Sequence, residues 1–130
     1  MADQNTPTLD PRMIASFREG DPDGAAGIVS LLIDQFLEEA ATQTELLRAA
    51  GQRGDATALK SAAHNLKGSS TTMGAKRLGA ACRAVEAYAA HAATVTHAPD
   101  GMTDLMIVLD RELADVRDAL LAERQGVNRT

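Results

Sequence analysis

The chain has 130 residues, the length of one ordinary domain, and 18 acidic against 13 basic side chains give it a formal net charge of −5. This acidic balance argues against a nucleic-acid binder, and 2% aromatic residues are too few for a base-stacking platform. The single cysteine, Cys82, excludes an internal disulfide and fits a reducing compartment. We expect a cytoplasmic protein, because no stretch is apolar enough for a membrane span and the polar start is unlike a signal peptide.

Two helices are predicted in the first 54 residues. After a polar, flexible arm over residues 1–8, Asp10 caps a short helix that Pro11 opens and Gly20 ends. A long helix follows from about residue 25 to residue 50, and Gly51 and Gly54 mark its end. Its apolar residues predict a buried stripe of Ile28, Leu31, Leu32, Phe36, Leu46 and Ala50.

Three more helices are predicted in the rest of the chain. Asp55 caps a third helix that runs to about Thr72, and a turn at residues 73–74 leads into a fourth over residues 75–93. Thr103 is predicted to cap the fifth helix, which Gly126 ends. The buried faces of the fourth and fifth helices are predicted as Leu78, Ala81, Cys82, Val85, Ala89 and Leu105, Met106, Leu109, Leu113, Val116, Leu120.

Four long amphipathic helices with short connections predict an all-α fold, an antiparallel up-down four-helix bundle. The short first helix is expected to cover one end of this bundle, with Met13, Ile14 and Phe17 partly buried. The bundle domain is predicted over residues 9–125, followed by a flexible tail at 126–130.

The third helix carries a histidine on its polar face. At about 100° per residue, His64 lies nearly opposite an apolar arc, so the imidazole is expected in solvent. The arc comprises Leu59, Ala62, Ala63, Leu66, Ser70 and Met73. Pattern alone leaves an ordinary surface histidine as an equal alternative.

Gly68 favours a functional histidine. Glycine within a helix costs about 0.8–1 kcal/mol relative to alanine, and helical side chains lean toward the N-terminus, so a large residue at 68 would cover His64. Ser61, three residues earlier, is also small, and Lys67 puts a cation on the same face. A neutral imidazole can accept a phosphoryl group whose charge Lys67 offsets. No histidine follows a glutamate at the spacing of a di-metal bundle site, and His91 and His97 are predicted as solvated residues.

The run Ala63-His64-Asn65-Leu66-Lys67-Gly68-Ser69-Ser70, followed by Met73-Gly74, Leu78, Cys82 and Glu86, resembles the histidine-containing phosphotransfer (HPt) domain. The resemblance implies that His64 is phosphorylated and that Lys67 and Gly68 shape its surroundings. Glu86 takes a position where relatives carry Gln or Glu, and it can orient the unphosphorylated imidazole. The partners implied are receiver domains of hybrid sensor kinases and of response regulators, and the receiver is expected to supply Mg²⁺, so the chain itself needs no cofactor.

Several alternatives concern activity. The chain has no glycine-rich nucleotide loop, so autophosphorylation from ATP is not expected. A dimerisation helix pair of a sensor kinase would have an acid after the histidine and a nearby proline, whereas Asn65 follows here and the next proline is Pro99. A non-enzymatic adaptor that binds or sequesters receivers remains an alternative. We expect a monomer that binds receivers around His64 and on neighbouring parts of the first two helices.

Overall fold

The computed structural model describes residues 6–96 and 100–127, with side chains as far as Arg124. Within these ranges the regular secondary structure is entirely helical: α1 Pro11–Glu19, α2 Ile28–Arg53, α3 Ala56–Thr72, α4 Lys76–Ala92 and α5 Met102–Val127. Most of the predicted arm and tail, together with His97, lie outside the described residues. No helix in the described part of the chain has the length and apolar character needed to cross a membrane.

The helix boundaries largely follow the predicted caps. The Asp10 carboxylate accepts a hydrogen bond from the Arg12 amide, and that of Asp55 accepts one from the Ala58 amide. α2 begins at Ile28, three residues later than predicted, because the Asp21 carboxylate accepts from the Ala26 and Ile28 amides and holds the preceding turn. The capping role predicted for Thr103 is wrong, because helix α5 already includes Met102.

The predicted antiparallel four-helix bundle is confirmed. α3 packs between α2 and α4, and α5 closes the bundle against α4 and α2. Two ion pairs display the antiparallel direction of α2 and α5, since Arg48 pairs with Asp110 at one end and Arg124 with Asp34 at the other. The core is formed largely by side chains that are almost fully buried, among them Ile33, Leu47, Leu66, Leu78, Cys82, Val85, Leu109, Val116 and Leu120.

The buried stripe predicted for α2 is displaced by about one residue. Leu31 and Leu46 were expected in the core, but they are 55% and 53% exposed. The buried positions are instead Val29, Ile33, Phe36, Ala40, Gln43, Thr44, Leu47 and Ala50, which recur every three or four residues. Two polar side chains therefore take core positions. The Thr44 hydroxyl donates to the Ala40 carbonyl and the Gln43 amide donates to Glu39.

Helix α1 covers the end of the bundle where α3 turns into α4, as predicted. Its single fully buried residue is Ile14, and Met13 and Phe17 are half-buried. The Asp10 amide donates to the Gly74 carbonyl at 2.9 Å, which ties the start of α1 to the turn. Gly74 has a φ of +72°, and a Cβ atom there would lie 2.6 Å from Cγ of Met13. The turn therefore requires glycine both for its backbone and for the close approach of α1.

Candidate functional site

The polar face of α3 is centred on His64. All six residues predicted for the apolar face of this helix are buried, and the His64 side chain is 67% exposed on the opposite side. The histidine is thus in solvent at mid-bundle, as the periodicity of α3 predicts. Ser61, Asn65 and Gly68 are exposed around it.

Glu86 of α4 joins His64 to Lys67. Its Oε2 lies 3.3 Å from His64 Nδ1, and its Oε1 lies 2.6 Å from Lys67 Nζ. The carboxylate is only 15% exposed, whereas Lys67 is 27% exposed. Burial raises the pKa of Glu86, but the hydrogen bonds and charges of Lys67 and His64 outweigh burial and hold that pKa below its ordinary value. At neutral pH the carboxylate is therefore ionised and acts only as an acceptor.

Cys82 lies in the core one helical turn before Glu86 and is fully buried. Burial, followed by the nearby Glu86 charge, raises the pKa of its thiol to about 12, although a hydrogen bond with Ser70 acts in the opposite direction. The thiol is therefore neutral and does not act as a nucleophile. Its predicted place in the core is confirmed.

Gly68 has open space where its side chain would begin. A Cβ atom at this position would have no neighbour within 4 Å, apart from the backbone of its own helix turn. Packing within the chain therefore gives no reason for glycine here, in contrast to Gly74.

The sequence prediction brought together His64, Lys67, Gly68 and Ser61 because they share one helix face. The structure places Glu86 of α4, which the family resemblance had named, in contact with both His64 and Lys67, a contact that the periodicity of α3 does not give. His91 is exposed near the end of α4, away from this cluster along the helix.

A family model described as the Hpt domain matches residues 31–119 of the chain. The chain belongs to the Hpt family. Its Hpt fold is also similar to the crystal structure of histidine-containing phosphotransfer protein B (HptB) from Pseudomonas aeruginosa PAO1, with a TM-score of 0.76 and 35% sequence identity. That similarity covers 93% of this chain and 97% of the other. A comparison with curated proteins gave no match.

Membership of the Hpt family shows the general function of the chain. It is a histidine phosphotransfer protein of phosphorelay signalling, a process in which Hpt proteins work with receiver domains. The resemblance noted in the sequence and the predicted helical-bundle fold are both confirmed.

Proposed function

We propose that His64 carries the phosphoryl group, receiving it from an aspartyl phosphate on one receiver domain and passing it to an aspartate on another. The observation that carries this proposal is the exposure and hydrogen bonding of the His64 imidazole. The imidazole is two-thirds exposed, and one ring nitrogen is engaged by an ionised carboxylate, which leaves the other for reaction.

Glu86 selects the reactive nitrogen. An ionised carboxylate can only accept, so Nδ1 of His64 carries the proton and Nε2 keeps a free lone pair. This lone pair attacks the phosphorus of the aspartyl phosphate. The Nε2–P bond forms as the bond from phosphorus to the carboxyl oxygen breaks, and the aspartate leaves as a carboxylate. Transfer onward reverses these bond changes at the second receiver.

Lys67 and Gly68 prepare the surroundings of the phosphoryl group. Glu86 holds the Lys67 ammonium beside His64 before phosphate arrives, and that cation then offsets part of the new negative charge. Gly68 and Ser61 leave the approach to the imidazole open. Near-attack geometry tolerates little displacement, so open space near Nε2 has a direct kinetic value.

The proposal assigns Mg²⁺ to the acidic pocket of the receiver. Within residues 6–96 and 100–127, no group of three or more His, Cys, Asp and Glu side chains is placed to hold a metal ion. This chain contributes the nucleophile, its orientation and one cation. We also place the protein in the cytoplasm as a monomer, because its lone cysteine is a free thiol and its charge of −5 opposes self-association.

The test is to incubate the protein with a receiver charged by acetyl phosphate and to look for acid-labile, base-stable phosphate on it. We expect labelling of the unsubstituted protein and of the matched control His91→Gln, but none of His64→Gln. Labelled His64→Gln protein would refute the assignment. Receiver binding without any phosphate transfer would support the adaptor alternative.

A further inference from the structure

Charge is distributed unevenly over the helices. α3 and α4 together have a formal net charge of +4, although the whole chain has −5, whereas α2 has −2 and α5 has −3. Glu86 is the one acid on α3 and α4, and it is outnumbered by Lys60, Lys67, Lys76, Arg77 and Arg83. Because α3 and α4 are packed together, the cations other than Arg77, which pairs with Glu112 of α5, make one basic surface that also contains His64.

Two of these cations are available to a partner. Arg77 is paired with Glu112, Lys67 with Glu86 and Lys76 with Asp10. The exposed Lys60 and Arg83 form no ion pair in the described part of the chain. Lys60 precedes His64 by one helical turn, about 6 Å along the axis. Arg83 precedes Glu86 by three residues on α4. Lys60 thus lies near the imidazole on the scale of the Debye length of about 8 Å in physiological salt, and Arg83 extends the basic surface along α4.

Beside this surface, an open cavity of about 430 Å³ lies where α4 and the end of α3 meet the start of α1. Thr71, Gly79 and Arg83 line it, and it extends to Met13 of α1 and to Lys76, which is paired there with Asp10. Arg83 therefore stands at the edge of a recess that can receive a protruding loop. The recess reaches helix α1 at Asp10 and Met13.

We propose that the basic surface of α3 and α4, through Lys60 and Arg83, recognises the acidic phosphorylation pocket of receiver domains and speeds their encounter with His64. The inference rests on the proposed function, because it specifies how the phosphate donor is recognised. A compact acidic pocket meets only this local surface, whereas an extended polyanion such as a nucleic acid also meets the net charge of −5.

The test compares two double charge reversals. Lys60→Glu with Arg83→Glu changes the basic surface, and Arg111→Glu with Arg117→Glu is the matched control on α5, where both arginines are exposed and unpaired among the described residues. Rapid-quench measurements give the second-order rate of phosphate transfer from a receiver that acetyl phosphate has phosphorylated, at low and at physiological salt. We expect the first variant to be slower by about tenfold or more at low salt, with a weaker salt dependence. Its first-order rate at saturating receiver should fall by a smaller factor than the second-order rate.

Binding of the unphosphorylated receiver, measured in parallel by fluorescence anisotropy, tests the docking surface without any phosphate transfer. Weaker binding in the first variant alone supports the inference, even if His64 proved unreactive. Equal losses in both variants, or salt-independent binding of the unsubstituted protein, would overturn it. So would binding of a single-stranded oligonucleotide in physiological salt that the first variant loses. The milder Lys60→Gln with Arg83→Gln variant should give an intermediate loss and unchanged helicity by circular dichroism.

Discussion

Replacing Gly68 separates the stability of the helix from its function. A side chain can be added at this position without a clash, because the space around its Cβ is open. Gly68→Ala should therefore gain about 0.8–1 kcal/mol of helix propensity. For 130 residues, an unfolding entropy of about 2.1 cal/mol/K per residue converts this gain into a rise in Tm of about 3–4 °C.

The same substitution should slow phosphate transfer. The side chain of Gly68→Gln would lean back along α3 over His64, where a displacement of about 1 Å can cost 10²-fold in rate. We expect Gly68→Gln to be much slower than the parent protein and Gly68→Ala to be intermediate. Tm and the rate of phosphate transfer from a phosphorylated receiver should be measured on the same samples.

The matched control is Gly51→Ala, near the end of α2. A Cβ atom there would make only an ordinary contact, 3.5 Å from Cε of Met102. This variant should gain stability and keep the parental transfer rate. If both Gly68 variants also transferred phosphate at the parental rate, the explanation offered for this glycine would be wrong.

Three further predictions concern neighbours of the site and the turn at Gly74. Lys67→Ala should slow transfer, or shorten the phosphohistidine lifetime, by several-fold, because partly exposed charge pairs contribute about 0–1 kcal/mol; the measurement is single-turnover kinetics. Glu86→Gln should have a lower Tm than the parent at pH 7, and the difference in Tm should shrink toward pH 3. The reason is that a carboxyl whose pKa is lowered in the folded state stabilises the fold above its unfolded-state pKa and loses this effect as pH falls. Gly74→Ala should lower the free energy of unfolding, measured by urea denaturation, by about 1–3 kcal/mol because of the left-handed backbone alone. The clash of the new Cβ atom with Met13 should lower it further.

Two comparisons decide the predictions for Gly74 and Glu86. Gly54→Ala controls for Gly74→Ala, because Gly54 has a φ of +70° with nothing within 4 Å of an added Cβ. Equal destabilisation by both substitutions would show that the contact with α1 is unimportant. A Tm difference between Glu86→Gln and the parent that grew toward pH 3 would contradict the sign given for the Glu86 carboxyl.

The periodicity of a sequence predicts a helix face best where apolar and polar residues are sharply separated. On α3 every predicted core residue is buried, because small and apolar residues recur without a gap. On α2, adjacent apolar residues at 31–33 and 46–47 leave the phase open, and the middle of the buried face contains Gln43 and Thr44. Thr44 donates to the Ala40 carbonyl and Gln43 to Glu39 within the helix, and a hydropathy pattern carries no sign of these hydrogen bonds.

Contacts between helices were harder to predict than faces. From the sequence, the role of Glu86 is ambiguous, because an acid repels a phosphoryl group. The structure shows that its carboxylate contacts His64 on one side and Lys67 on the other. The unequal charge of the helices was present in the sequence. It becomes informative only when packing places α3 and α4 side by side.

Labelling of the buried Cys82 thiol measures how often the bundle opens. Cys82 is the sole cysteine of the chain and has no exposed surface in the folded state, so a thiol reagent can reach it only when the bundle opens. The labelling rate in buffer without denaturant thus reports the frequency of opening near the site. Because a label on this core residue prevents repacking, the opening of each variant should be measured by labelling on one sample and its phosphate transfer on a second, unlabelled sample.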